Sequence, residues 1–383
     1  MKSTAARLKS IKEYYFSRKL REVTQLIKSG NPIINMGIGS PDLKPHPDVI
    51  KALAEAMNHP SAHMYQSYQG LPELRDAIVD FYKKFYKVTL DPNTEVLPLM
   101  GSKEGIMHLS MAYLNPGDQV LIPNPGYPTY ASVTSLMQAK TLLYDLKSEN
   151  NWQPDFEYLE SLDTSKIKIM WLNYPHMPTG TDVNEKIFDR LIQWAKKNNI
   201  LLVNDNPYSF VLTKKPQSIL SRPGAQEVAV ELNSLSKSFN MAGWRIGMLT
   251  GKAEVLKQTL KVKSNMDSGM FFGVQQGAIA ALKMKPDWFE SLNKIYKKRK
   301  NLMEDLAGKF GATVENKSVG LFLWAKLPEG SPDAETFIDN ILYQKNIFIT
   351  PGTIFGSQGE GYIRFSLCVS EESIKEAIKR MES

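Results

Sequence analysis

The stretch IKIMWLNYPHMPTGTDVNEKIFDRLIQWAKKNNILLVN, residues 167–204, decides the fold. It opens on a short apolar run, residues 167–173, and closes on another, residues 200–204. Between them, within residues 184–199, Ile187, Leu191, Trp194 and Ala195 recur at i, i+4, i+7 and i+8. That period draws one apolar stripe along a helix, whereas the flanking runs are too short for helices and rich in Ile, Leu and Val. Strand, helix and strand in succession predict two parallel neighbours joined by a crossover helix. The same rhythm extends outward. Residues 96–100, 119–123, 228–235 and 245–249 are further strand candidates. The prediction is an α/β fold with a mostly parallel sheet covered by helices on both faces, built from residues 46–282.

Beyond this block the pattern changes. A long charged helix is expected over residues 287–310, strands over 320–326 and 362–367, and a helix over 333–343. These suggest a smaller α+β domain made from residues 283–383 and the N-terminal residues 1–45. A chain of 383 residues is longer than one ordinary core supports, so two domains are the natural expectation. A small domain made from both chain ends can move as a lid.

Composition narrows the function. No apolar run approaches the ~18 residues of a membrane span, and the first 20 residues carry charges with no signal-like apolar core. The one cysteine, Cys368, has no partner for an intramolecular disulfide and reads as a small buried hydrophobe. A cytoplasmic protein without membrane association is expected. The formal charge of +7 comes with lysines spread along helical stretches such as 257–263 and 296–299. These read as solvated helix faces rather than a nucleic-acid stripe, and their field would draw anionic substrates.

Several residues point to chemistry, each beside a plainer reading. Ser234-Leu235-Ser236-Lys237 ends an apolar strand, where open α/β sheets bind ligands. A lysine there can form a Schiff base if its surroundings favour the neutral amine. Arg245 follows eight residues on, and two hydroxyls, a lysine and an arginine suit a phosphate and an aldehyde; alone, such a strand exit is a weak signal. Asp205 closes the strand at residues 200–204 and can hold a proton on a ring nitrogen, or merely cap a turn. Gly101-Ser102-Lys103-Glu104-Gly105 opens a helix whose free N–H groups form an anion site, or a simple Ser cap. Tyr127, in Asn124-Pro125-Gly126-Tyr127-Pro128, can stack on a flat ring or lie in a surface loop. Arg364 sits among apolar neighbours in Tyr362-Ile363-Arg364-Phe365 and wants an anionic partner, a substrate carboxylate or a structural acid. No metal-ligating set is expected.

Taken in order, these residues make the chain resemble, nearly end to end, the fold type I pyridoxal-5′-phosphate (PLP)-dependent aminotransferases of class I/II. The resemblance adds Asn35-Met36-Gly37-Ile38-Gly39-Ser40-Pro41-Asp42-Leu43, similar to the family's glycine-rich entry segment, with Gly39 near the substrate carboxylate. It adds Tyr65, five before Gly70, as the tyrosine that reaches the partner subunit's cofactor phosphate. It implies that Ser102, Lys103, Ser234 and Arg245 hold the phosphate and that Tyr127 stacks on the ring. It further implies that Asp205 pairs with the pyridine nitrogen, Tyr208 donates to the 3′-oxygen, Lys237 forms the Schiff base and Arg364 clamps the α-carboxylate. PLP, a homodimer with shared active sites, and amino acid and 2-oxo acid substrates come with it. One position departs: Met177-Pro178-Thr179-Gly180 stands where the family usually has Asn-Pro-Thr-Gly. A thioether cannot donate to the 3′-oxygen, so Tyr208 acts alone, Asn173 or His176 substitutes, or the cofactor's electronics differ.

The implied reaction is transamination. The stretch 264–273 has no arginine to bind a second carboxylate, so a neutral or apolar donor is expected. A PLP-dependent carbon–sulfur β-lyase would show the same cofactor residues. A non-enzymatic aminotransferase-like regulator would need a DNA-binding module, for which the ~34 residues before Asn35 are too few.

Overall fold

The computed structural model describes residues 4–9, 15–314 and 317–382. The remainder includes part of the N-terminal segment assigned above to the smaller domain, and that part lies outside the described residues. In chain order the strands are β1 (Ile34–Asn35), β2 (Val96–Leu99), β3 (Gln119–Asn124), β4 (Lys140–Asp145), β5 (Ile167–Leu172), β6 (Leu201–Asp205), β7 (Ala229–Ser234), β8 (Gly247–Gly251), β9 (Thr313–Val314), β10 (Phe322–Lys326), β11 (Ile347–Phe348), β12 (Thr350–Pro351) and β13 (Tyr362–Ser366).

The decisive stretch folds as its pattern predicts. β5 and β6 pair in parallel, Ile169 opposite Leu201. The helix between them, Glu185–Asn198, is capped at its start by the Asn184 side chain, which accepts from the Lys186 N–H. It stops at Asn199, in the left-handed region at φ 53°, which asparagine tolerates better than most residues. Its buried face is Phe188, Leu191, Ile192, Trp194 and Ala195.

Seven strands form the central sheet in the order β2-β8-β7-β6-β5-β3-β4. Six run in one direction, and β8 alone is reversed, antiparallel to both its neighbours, β7 and β2. β4 was not anticipated. It is an edge strand whose Lys140, Thr141 and Leu143 are exposed, and its apolar run is only Leu142-Leu143-Tyr144. The strand expected over 245–249 starts two residues later. Arg245 lies in the left-handed region at φ 54°, in a turn that precedes β8. One apolar layer, including Leu99, Ile106, Leu109, Val203, Val230 and Leu232, fills one face of the sheet. A larger one, including Met170, Leu172, Leu202 and Met248, fills the other.

A second sheet, β12-β13-β10-β9, follows the helix Pro286–Lys309. β1 pairs in parallel with β11, so the N-terminal segment joins this C-terminal part, and Phe16 contacts Phe348. Two basic stretches are not purely solvated faces. Lys263 is fully buried with Nζ 2.7 Å from Asp267, and buried Arg299 donates to both oxygens of Asp42. A buried cation is tolerated because a carboxylate faces it. No helix among the described residues is long and apolar enough to cross a membrane. Cys368 is free and buried.

Candidate active site

The parallel strands β6 and β7 end at one edge of the sheet, on Asp205 and Ser234. The antiparallel register places Ser234 opposite Gly247 and Leu99 opposite Gly247, bringing the turn after β2 to the same edge. A cavity of about 710 Å³ opens there. Gly39, Ser102, Lys103, Tyr127, Asp205, Tyr208, Ser234, Lys237, Arg245 and Arg364 all line it. Tyr65 does not. It is 91% exposed, so it meets no site in its own chain. Nor does the stretch 264–273, whose Met266 and Phe271 are exposed.

Asp205 is the buried acid of the cavity. Its Oδ2 accepts from Tyr130 Oη at 3.0 Å, and its Oδ1 is buried without a hydrogen-bond partner. Burial pushes its carboxyl up to about 6, against the hydrogen bond from Tyr130 and the charge of Lys237. An orphaned buried carboxylate oxygen costs free energy, and a protonated ring nitrogen would satisfy it. Tyr130 was not anticipated. It lies three residues after Tyr127, stacks on Trp171 at 4.9 Å, and only its burial reveals its role.

Lys237 donates its Nζ protons to the Gly39 carbonyl. Burial lowers its pKa, and Arg364 and Arg245 push the same way. Arg364 is buried and donates from Nη2 to the Gly37 carbonyl at 2.8 Å and from Nη1 to Met177 Sδ at 3.3 Å. Phe322 and Phe355 lie 4.0 and 4.6 Å from its guanidinium carbon. The entry segment thus supplies one backbone acceptor to each of the two cations.

Gly101, at φ +87°, turns the chain into the helix Ser102–Tyr113. A Cβ there would sit 2.2 Å from Arg245 Nη2, so only glycine leaves room for the guanidinium against the helix N-terminus. Arg245 Nη1 also approaches Ser236 Oγ at 3.5 Å, and Ser234 Oγ donates to Ser236 Oγ at 2.8 Å. Helix N–H groups, hydroxyls and a guanidinium converge as a phosphate requires. Ser236 thus supplies the second of the two hydroxyls expected there.

Met177 also lines the cavity. Asn173 lines it too, but its Nδ2 donates to the Asp205 carbonyl at 2.6 Å and its Oδ1 accepts from the Met177 N–H. His176 is not among the lining residues; its Nδ1 bonds Thr179 Oγ1, and burial pushes the imidazole down to about 3. Phe16, Ser17, Met107, Val133, Leu136 and Ile354 also line the cavity, and no motif marks them in the sequence.

A low-pKa lysine, a buried acid, an anion cradle and a buried arginine at one sheet edge suit a PLP-dependent enzyme. The residues fit the cofactor: the unpaired Asp205 oxygen, the Gly101–Arg245 cradle and the low-pKa lysine each answer one of its groups. The profile of the family described as aminotransferase class I and II matches residues 31–381, and the chain belongs to this family of PLP-dependent aminotransferases. It is 40% identical over 379 residues to the LL-diaminopimelate aminotransferase of Aquifex aeolicus, with 98% of each chain covered. It is 39% identical over 382 residues to the enzyme of that name from Halothermothrix orenii, covering 99% of this chain and 98% of the other. The substrate-bound structure of BacF from Bacillus subtilis superposes with a TM-score of 0.94 at 36% identity, covering 100% of this chain and 98% of that one.

Proposed function

We propose that this aminotransferase takes LL-diaminopimelate as its amino donor. The relatives at 39–40% identity over nearly the full chain carry the reading. The outer cavity supports it. This donor's side chain is three methylenes ending in an ammonium and a carboxylate, charged at its tip yet neutral overall. Met107, Val133, Leu136 and Ile354 suit the methylenes. Lys103, which the resemblance places on the phosphate, is proposed here to meet the far carboxylate instead: it lies one turn before Met107 on the same helix face and is held by no ion pair among the described residues. A second reading, a purely apolar donor, is favoured by that same apolar wall. Rates for LL-diaminopimelate, methionine, leucine and phenylalanine with one 2-oxo acid decide between them. LL-Diaminopimelate is expected to exceed the others in kcat/KM, and Lys103→Ala to lower its value alone by ~10- to 100-fold, the worth of a charged hydrogen bond. An apolar donor ahead of LL-diaminopimelate would establish the second reading.

Bound in the cavity, PLP supplies an electron sink for the substrate's α-carbon. The protein's part is positional and protonic. Arg364 would exchange the Met177 sulfur and Gly37 carbonyl for the substrate α-carboxylate. Lys237 would hold the cofactor covalently and, once released, carry a proton at Nζ as base and acid. Asp205 would keep the pyridine nitrogen protonated, with Tyr130 fixing its orientation. Ser102, Ser234 and Arg245 would hold the phosphate, Tyr208 would donate to the 3′-oxygen, and Tyr127 would pack on the ring.

The protein is proposed to work as a two-fold dimer. Gly269 packs on the backbone of Gln66, so the loops carrying exposed Met64 and Tyr65, and exposed Met266 and Phe271, meet. A second copy covering this apolar surface would receive Tyr65.

Met177 offers no hydrogen to the 3′-oxygen. A donor there stabilises the oxygen anion and so lowers the pKa of the nitrogen Lys237 contributes. The visible spectrum of the loaded enzyme is therefore expected to change at higher pH than that of Met177→Asn, by about one unit, the equivalent of ~1.4 kcal/mol. Coincident titrations would mean the oxygen is already satisfied.

A further inference from the structure

Asp205 and Ser234 face the cavity; the residues before them face the other side of the sheet. There the fully buried Glu231, on β7, accepts from Tyr82 Oη at 3.1 Å through Oε1. Its Oε2 accepts from Asn204 Nδ2 at 3.1 Å and from the Ile219 N–H at 3.2 Å. Asn233 Nδ2 donates to Tyr82 Oη at 3.4 Å and to Tyr86 Oη at 3.1 Å, and Tyr86 Oη meets Ser209 Oγ at 2.5 Å. Asn204, Ser209 and Asn233 each adjoin a cavity residue: Asp205, Tyr208 and Ser234. One buried network therefore reaches three of the backbone positions that present the cofactor residues.

We propose that Glu231 is a positioning residue for the cofactor cradle, holding the ends of β6 and β7 from behind the sheet through Asn204, Tyr82 and Asn233. The proposal rests on the reading of Asp205 and Ser234 as cofactor residues. Buried polar networks of this kind act as a unit, so a change at one member reorients the rest. The groups facing Glu231 are Tyr82 and Tyr86 from the helical segment below, Asn204 and Asn206 from β6 and its continuation, Ser218 and the Ile219 N–H from the adjoining turn, with Asn233 and Thr250 behind Tyr82. None is a cation. Burial accordingly pushes the carboxyl up to about 7 from 4.5, against the hydrogen bonds from Asn204 and Ser218.

Burial favours the protonated carboxyl, whereas the hydrogen bonds of the network, donated to Glu231, favour the carboxylate. Because the folded pKa lies above the unfolded one, the stabilising contribution of the protonated form is complete below about 4.5 and is lost as the pH rises through about 7. A charge appearing there has no counter-ion, and the strand ends it holds must adjust.

The test is the dissociation constant of PLP, titrated into full-length apo-enzyme from pH 5.5 to 8.5, for the wild type and Glu231→Gln. Glutamine keeps the shape and stays neutral. The ratio of wild-type to variant dissociation constants is expected to be flat below pH 6 and to rise by up to about tenfold by pH 8, the factor for a one-unit difference in the Glu231 pKa between loaded and empty protein. A ratio independent of pH overturns the proposal, since a merely structural residue would alter urea stability without this profile. Tyr82→Phe, which cuts the link to Asn233, is expected to weaken PLP about 2- to 10-fold, the worth of a neutral hydrogen bond. Unchanged affinity in that variant also overturns the proposal, and it remains readable if Glu231→Gln does not fold. Asp205→Asn serves as the control: if it leaves PLP affinity intact, the cradle reading itself has failed.

Discussion

Lys237→Ala is expected to lose transamination by several orders of magnitude while the protein stays folded. Removing the nucleophile of a covalent cycle removes the path, not one increment of it. The structure adds why Lys237 is suited to the role. Burial and the nearby guanidinium groups of Arg364 and Arg245 favour its neutral amine, and its hydrogen bond goes to a backbone carbonyl, that of Gly39, rather than to a carboxylate. Measurement is direct: after dialysis the variant should lack the visible band of a lysine-bound cofactor. Its persistence would assign the cofactor to another lysine. The same variant tests the shared site. Mixed with an inactive Tyr65 variant, it should form hybrids carrying one complete site and recover activity; no recovery after subunit exchange would remove Tyr65 from the partner's site.

Arg364→Ala is expected to lower kcat/KM by about 10²- to 10³-fold, and in both half-reactions, since donor and acceptor each carry a carboxylate. The estimate follows from the ~2–5 kcal/mol lost when one partner of a buried charge pair is truncated. Phe322 and Phe355 both pack against the guanidinium, which limits its freedom to follow a displaced ligand. Lysine offers one charged point instead of a planar fork, so Arg364→Lys should recover only part of the loss. Steady-state kinetics with a donor and with a 2-oxo acid decide the matter. A loss confined to one half-reaction would mean that another cation binds the second carboxylate.

The alternation of apolar runs and a helical stripe was legible because it is local. Asn184 and Asn199 even mark both ends of the helix between β5 and β6. What was not legible depends on distant neighbours. β4 hides because, at the sheet edge, its short apolar run Leu142-Leu143-Tyr144 follows exposed polar residues, and the reversed direction of β8 leaves no trace in its composition. Lys263 and Arg299 read as solvated until Asp267 and Asp42 are brought to them. The residues at Lys237, Asp205, Arg245 and Arg364 stood out through motif order, and the structure brings them to one cavity. Tyr130, Phe16 and Ser17 carry no such mark, since their contribution exists only after segments far apart in the chain have met.

The entry segment has a bearing on how the protein is made. β1 leaves the ribosome early, yet its partner β11 is among the last strands synthesised. Gly39 reaches Lys237 198 residues away, and Gly37 reaches Arg364 327 residues away. The central sheet needs neither chain end and can form during translation, whereas contacts of such separation are slow to close and must wait for the C-terminus to emerge. The half of the cavity that carries Arg364 is thus assembled last. On the roles proposed above, a nascent chain would present Lys237 and the phosphate cradle before Arg364 is in place to hold an amino acid, so acquiring the cofactor would precede acquiring activity.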